Sequence, residues 1–589
     1  MSYLSTRHRY RAPVGRATAG ALATALAATA VVLTGAPAQA TPTSATTLVV
    51  NAAQNLRSVT HVGTGSLYGL SSASTPADSV VQALKPNTFV QMAPGGSQLP
   101  NGEPAPAGDA LVVASKAANA GAKVVVRMPD WYPNFPYQWV SWSDWLSAVD
   151  KQVAAVKSSG ATNISAYELW NEPDWTWDIT NAGAFDAGWA RTYNEVRSKD
   201  ATTPIQGPSY SAWNQSWMTT FLTDAKASGT VPDIVAWHEL QGSSGIADHV
   251  AAYRSLESSL GISPRPIAIE EYGTPSEMGN SGALIGYAAK FERAGVHDAE
   301  LAFWNHYGTL GDTLTDTGGS PNGSYWTYKW YGGMSGNMLT TTPPAQTGID
   351  GLASLNGAGN QISVITGGCT GSCAVTVNGL SSLSAFGSTV HVKLEYSPDT
   401  GRTTASSGPI TISDTDYSVS NGSITVPVTM NASDGYHLVI TPSGTSTSLA
   451  GRYQITNKNS GLALDTLNAA TAQGTSVVQA TSTTGTDQNW TLTAAGSGLY
   501  KIVNQKSGLL LGITNAGTSD GGTALIWGDN GTADHLWQVI PARDGYYKIA
   551  NYNSGRLLGV DQMSTSSGAQ VLQWSDNGTA DHLWSLTSR

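Results

Sequence analysis

The sequence predicts three folded regions in a row: a (β/α)8 TIM barrel, a small antiparallel β-sandwich and a C-terminal β-trefoil. Three observations carry this. Eight short apolar runs alternate with helix-like stretches between residues 60 and 335. The helical period then disappears, and alternating strands separated by Gly, Asn, Asp and Ser follow to about residue 445. The remaining chain repeats itself three times.

The N-terminal 40 residues stand apart. Arg7, Arg9, Arg11 and Arg16 precede the apolar stretch 17–33, which leads to Ala38-Gln39-Ala40. This is the n-region, h-region and A-x-A site of an export signal, expected to be cleaved after Ala40. A membrane anchor is the alternative, but the stretch is short and rich in Ala and Thr. Composition agrees with a secreted, extracellular protein. Only 12% of residues are charged, and the chain holds 64 Gly and 19 Trp. The net charge of −11 argues against nucleic acid or an anionic membrane as partner.

The barrel is expected over 41–335, with "TTLVVNA" near its start free to pair with the sandwich instead. Its runs are "THVGTGSLYGL", "NTFVQMAP", "AKVVVRMP", "ISAYELWNEP", "TPIQGPSY", "PDIVAWHE", "RPIAIEEYG" and "AELAFWNHYG". Val124-Val125-Val126 suits a parallel strand buried on both faces. Between runs, Trp142, Trp145, Leu146, Val149, Val153 and Val156 fall at helical spacing, so Trp142 and Trp145 read as packing. A doubly wound sheet is the alternative, but no Gly-rich dinucleotide turn follows a first strand. The sandwich is expected over 336–445. Cys369 and Cys373, in a Gly-rich stretch of an exported chain, read as one small disulfide. Zinc would need four ligands, and no other Cys or His lies close in sequence. Residues 441–451 read as a polar linker.

The trefoil is expected over 446–589. "GRYQITNKNSGLAL", "GLYKIVNQKSGLLL" and "GYYKIANYNSGRLL" open its three units, and the evenly spaced Trp490, Trp537 and Trp584 close them. This block resembles the ricin-type lectin domain, a family 13 carbohydrate-binding module. It departs from the family in one respect: the closing Gln-x-Trp is intact only at Gln488-Asn489-Trp490, with His535 and His582 replacing Gln elsewhere. The resemblance places the sugar-stacking ring at Trp527 and Trp574, with Ala480 in the first copy. Its rim candidates are Asp487 with Gln488, Asp534 with His535, and Asp581 with His582. Asp465 matches an early sugar-binding Asp, where the other copies have Gly512 and Gly559. The closing tryptophans read as core.

The chemistry is expected in the barrel. Glycoside hydrolysis needs two carboxylates flanking the scissile bond, and in a barrel they belong at C-terminal strand ends. Glu172 ends the fourth run; Glu270 and Glu271 end the seventh. "YELWNEPD" (167–174), with the later Glu-Tyr-Gly, resembles the clan A glycoside hydrolases, most nearly glycoside hydrolase family 39. The resemblance implies retaining hydrolysis without a cofactor or metal, with Glu172 as acid/base, Asn171 on the substrate 2-hydroxyl and Glu271 as nucleophile. Glu270 is the rival, because neighbouring strand residues face opposite ways. The resemblance also matches His238, although Leu240 stands where an aromatic is usual, and it puts Trp304 under the sugar. Trp131 is a further candidate cleft wall, and Glu168 a residue that orders the site. The expected partner is an oligo- or polysaccharide of plant type, bearing xylosides, galactosides or arabinosides. A non-catalytic carbohydrate-binding protein and a transglycosylase are the alternatives.

Overall fold

A computed structural model describes residues 44–99, 108–302, 309–311, 313–445 and 447–589. The expected export signal and Trp304 lie outside these residues. None of the described helices is long and apolar enough to cross a membrane.

Strand β1 (Thr47–Ser58) comes first and belongs to a later sheet. Eight strands then close a parallel barrel: β2 (Gly65–Leu67), β3 (Thr88–Met92), β4 (Lys123–Arg127), β5 (Ile164–Glu168), β6 (Ile205–Tyr210), β7 (Ile234–Glu239), β8 (Ile267–Tyr272) and β9 (Asp298–Leu301). Every residue of β3, β6, β7 and β8 is buried, which suits the apolar openings "IVAW" of β7 and "IAI" of β8; β3 and β6 carry polar residues and read more weakly from sequence. The ionisable residues toward strand ends include Arg127, Glu168, His238, Glu270 and Glu271. Buried ionisable groups there are expensive unless paired, so their partners decide what this end of the barrel can do.

The helices among the described residues are α1 (Asp78–Gln82), α2 (Ala110–Asn119), α3 (Trp142–Ser159), α4 (Pro173–Thr176), α5 (Ile179–Ala182), α6 (Phe185–Lys199), α7 (Gln215–Ser228), α8 (Ile246–Ser259), α9 (Ser281–Ala294) and α10 (Gly323–Gly333). The expected 142–156 helix is α3. Ser141 caps it by accepting from the Asp144 N–H, and Gly160, at φ 72°, ends it. Trp145, Val149, Val153 and Val156 are buried, while Trp142 is half-buried beneath Arg191. Helix α9 is buried on all sides, because the barrel covers one face and the next sheet covers the other. Lys290 and Arg293 of α9 both pair with Asp350, at 3.0 and 2.7 Å.

The next sheet adds β10 (Asn337–Thr342), β11 (Asp350–Leu355), β12 (Ile362–Gly367), β13 (Gly371–Asn378), β14 (Thr389–Ser397), β15 (Ile410–Ser418), β16 (Ile424–Met430) and β17 (Gly435–Thr441). With β1 it forms one nine-stranded path, β15-β14-β17-β12-β11-β10-β1-β13-β16. Leu48 and Val50 of β1 share one apolar core with Val375, Val392 and Val426. All neighbours are antiparallel except β1 and β13, which run parallel. A disulfide ties Cys369, ahead of β13, to Cys373 within it.

A twelve-stranded sheet spans Gly451–Ser588 and repeats three times. Trp490, Trp537 and Trp584 are fully buried, and their indole N–H groups donate to Leu464, Leu511 and Leu558 carbonyls at 2.9, 3.0 and 2.9 Å. Asn457, Asn504 and Asn551 each donate to the carbonyl of Asp581, Asp487 and Asp534 at 2.7 Å. The repeat therefore lies in the bonding as well as in the letters.

The expected linker is tied down rather than free. The Thr447 N–H donates to Asp414 O, and the Leu449 N–H to the Tyr500 hydroxyl. The second and third repeats dock on the nine-stranded sheet. Ile540, Ala550 and Leu557 join its core, and Gln538 accepts from the Thr429 N–H at 2.9 Å. Gly555 meets Gly371 and Ser372 so closely that any side chain there would clash with backbone.

Candidate active site

Asn171, Glu172 and Pro173 follow β5. Glu172 adopts φ 51° and ψ 52°, a left-handed conformation that costs a non-glycine residue energy. It is held there from both sides. Its N–H donates to Ser209 O at 2.8 Å. The Thr176 hydroxyl donates to Asn171 O and accepts from the Trp170 indole. Pro173 opens the short α4, and Asp174 is occupied by the Ser211 N–H and hydroxyl.

Glu172, His238 and Glu271 converge, with one ligating atom of each lying within 4.8 Å of the others. All three are buried. His238 Nδ1 is 3.1 Å from Glu172 Oε1 and 3.9 Å from Glu271 Oε2. Arg127 reaches across from β4 and bridges Glu168 at 2.8 Å and Glu271 at 2.7 Å. Three such groups have the spacing to hold a cation, but the guanidinium on Glu271 opposes a second positive charge there.

Electrostatics follow from this packing. Burial pushes the Glu172 carboxyl up, but the His238 hydrogen bond and charge, Arg127 and the Trp175 indole outweigh it and hold it below the usual range. Burial pushes His238 down, yet Glu271 and Glu172 bring it above the usual value. Burial raises Glu168 well above the carboxylate range despite Arg127. Asp130 is raised to about 6, mainly by burial, while accepting from the Tyr68 and Tyr137 hydroxyls at 2.8 and 2.9 Å.

The pleat argument separating Glu270 from Glu271 needs correction. Register shifts occur between Trp237 and Glu239 and between Ile269 and Tyr272. Such bulges re-aim side chains, and both glutamates approach His238. They are still distinct. Glu271 takes Arg127, whereas Glu270 accepts from Gln206 at 2.5 Å and lies 3.9 Å from His238 Nε2. Asn171 donates to the Tyr137 hydroxyl at 3.3 Å, and its Oδ1 has no partner among the described residues.

Trp131 is half-buried and lies under the Lys151 ammonium. Aromatic surface near Glu172 comes from Tyr137, Phe135 and Trp175. Sequence reasoning missed Arg127, Asp130, Tyr68 and Tyr137. The one available signal was a charged residue closing the apolar run "KVVVR".

In the trefoil, Trp527 and Trp574 are 36% and 41% exposed. Gln488 donates to Asp465 Oδ2 at 2.9 Å, and Asp487 is half-buried beside them. In the other copies a Cβ on Gly512 or Gly559 would strike the ring of His535 or His582. The imidazole thus fills the space beside each glycine, and the Asp–Gln pair has become a Gly–His pair. Asp534 and Asp581 are buried beside those rings. A cavity of about 260 Å³ borders Trp574, Asp581, His582 and Asn577.

Residues 437–527 and 533–589 match the family model described as "Ricin-type beta-trefoil lectin domain-like". Two curated proteins match over 453 residues, 64% of this chain. A "3-O-alpha-D-galactosyl-alpha-L-arabinofuranosidase" from Bifidobacterium longum subsp. longum is 28% identical, and a "3-O-beta-L-arabinopyranosyl-alpha-L-arabinofuranosidase" from Bifidobacterium pseudocatenulatum is 27% identical. The match spans 39% and 46% of their respective lengths. A glucosidase from Croceicoccus marinus, 12% identical, shares the fold at a TM-score of 0.51 over 68% of this chain and 99% of that one. N2152 from Neocallimastix frontalis is 36% identical, with a TM-score of 0.64 over 68% of this chain and 100% of that one. With that identity over the full length of its relative, this chain belongs to the same family as N2152.

Proposed function

We propose that the protein is an exported, retaining glycoside hydrolase of the family 39 type that releases α-L-arabinofuranosyl units from plant-type polysaccharide. One observation carries the reading: oxygens of Glu172 and Glu271 approach within 4.8 Å, at the ends of β5 and β8. Retaining enzymes keep their carboxyls about 5–5.5 Å apart, whereas inverting ones leave room for water at about 6.5–9.5 Å. The arabinoside is favoured over xyloside and galactoside because both curated relatives are named for an α-L-arabinofuranoside carrying a 3-O-glycosyl group. Export is supported by the Cys369–Cys373 disulfide.

Glu271, oriented by the Arg127 guanidinium at 2.7 Å, attacks the anomeric carbon. Glu172 protonates the departing oxygen as that bond breaks. Water, deprotonated by Glu172, then displaces Glu271 and restores the configuration. The directions of the Glu172 and His238 shifts favour a carboxylate on Glu172 beside a protonated His238. A transfer over 3.1 Å loads Glu172 for the first step. Asn171 Oδ1 is the acceptor for the sugar 2-hydroxyl.

Glu172→Ala is expected to lose about 10²–10⁴-fold in kcat on substrates with poor leaving groups. Azide should restore turnover on an activated aryl arabinofuranoside and give a glycosyl azide of retained configuration. Unchanged activity without azide rescue removes Glu172 from this role.

The trefoil is the polymer-binding part, working through Trp527 and Trp574, because the first copy offers only Ala480. Trp527→Ala with Trp574→Ala is expected to weaken polysaccharide binding by at least about tenfold, leaving kcat on a small aryl glycoside unchanged. Equal retention on an affinity gel containing the polymer would refute this assignment.

A further inference from the structure

We propose that Trp175 is a positioning residue for the acid/base and also the platform for the leaving-group sugar. The inference rests on the assignment of Glu172 above and adds the substrate's other half to that site.

Two observations carry it. The first is a hydrogen bond. The Trp175 indole N–H donates to Glu172 Oε2 at 2.8 Å, while the opposite oxygen, Oε1, faces His238. The carboxylate is therefore clamped at both ends. Its His238 end looks toward Glu271 and the anomeric carbon. Its Trp175 end looks outward, where the departing oxygen and the rest of the polymer have to lie.

The second is exposure. Trp175 is 52% exposed although it belongs to a chain segment whose neighbours Trp170, Pro173 and Thr176 are buried. Phe135, also partly exposed, braces it edge-on, with centroids 5.1 Å apart at 89°. Phe135 in turn meets Tyr137 at 5.4 Å, and Tyr137 bonds Asp130 and Asn171. An indole propped on one side and open on the other matches the apolar C–H face of a sugar ring. Glu172 itself is only 6% exposed, so a ligand reaching its outer oxygen passes over this ring.

The other groups facing Glu172 are His238 from β7, Glu271 from β8 and Arg127 from β4. None of them changes when Trp175 is replaced. A donor to the carboxylate stabilises its ionised form, and Glu172 must be protonated to act as acid. Losing the donor therefore moves the basic limb of kcat/KM to higher pH.

The test compares Trp175→Phe and Trp175→Ala with the intact chain, on an arabinose-bearing plant polysaccharide and on a 4-nitrophenyl arabinofuranoside. Trp175→Phe keeps the ring and loses the donor. Its basic limb should move up by about one pH unit, with KM for the polysaccharide changed less than about threefold. Trp175→Ala should show the same shift together with a rise of about tenfold or more in polysaccharide KM. A basic limb that stays put in Trp175→Phe overturns the positioning role. A polysaccharide KM that stays put in Trp175→Ala overturns the platform. Failure of the underlying assignment would be seen separately, as absent azide rescue in Glu172→Ala with Trp175 intact.

Discussion

Glu271→Gln is expected to abolish turnover, lowering kcat by about 10³-fold or more on every glycoside the wild type cleaves. The variant should still fold, because a glutamine oxygen can accept from Arg127 as the carboxylate does at 2.7 Å. Its thermal midpoint should stay within a few degrees of wild type. The neighbouring Glu270→Gln gives the contrast. Glu270 is fully buried and accepts from Gln206, so its amide should cost less than about tenfold in kcat. Rates measured on one aryl arabinofuranoside decide between them. A dead Glu270 variant beside an active Glu271 variant would reverse the assignment.

Arg127→Met should have the second largest effect, on stability and activity together. Arg127 is buried and bridges two buried carboxylates, Glu168 and Glu271. Removing one partner of a buried ion pair typically costs about 3–5 kcal/mol, because the remaining charge is left uncompensated. The loss should depend on pH. Burial already raises the Glu168 pKa in the folded protein, against the pull of Arg127, and the substitution raises it further. A carboxyl whose folded pKa lies above its unfolded value favours the native state in acid and loses that advantage as pH climbs through the folded pKa. Thermal unfolding should therefore show a wider gap between wild type and variant at pH 8 than at pH 5. A gap that is constant, or wider in acid, would mean that Glu168 does not depend on Arg127.

Much of the barrel was legible, for a specific reason. A parallel strand buried on both faces needs an unbroken apolar run, so "PDIVAWHE" and "RPIAIEEYG" announced β7 and β8 directly. Glu172 and the Glu270–Glu271 pair stood out because they end apolar runs, whereas the choice of Glu271 over Glu270 rests on the family resemblance. Glu239 also ends such a run, yet pairs with Trp237 and His249. Arg127 and Asp130 were not legible, since nothing local says that β4 closes against β5 and looks across to β8. The bulges that let Glu270 and Glu271 both approach His238 were also hidden, because the sequence carries the period of a strand and not its slips. The docking of the trefoil left one trace. Gln538 and Ile540 stand where the other repeats have Thr491 and Thr493, and Ser585 and Thr587. Those two exceptions to the threefold pattern are residues that contact the nine-stranded sheet.

That contact alters what the lectin-like part can do for the catalytic part. A tethered module raises local concentration smoothly, and its linker length sets the gain. Here Gly555 against Gly371, and Ile540 and Leu557 within a shared core, leave no such freedom. The span from the Trp574 cavity to Glu172 is a fixed length with a fixed direction. On the proposed function, the two sites would act as a caliper of one setting on the polymer. On that reading, chains too short to reach both sites should gain nothing from the second, so activity plotted against chain length should rise as a step at one length.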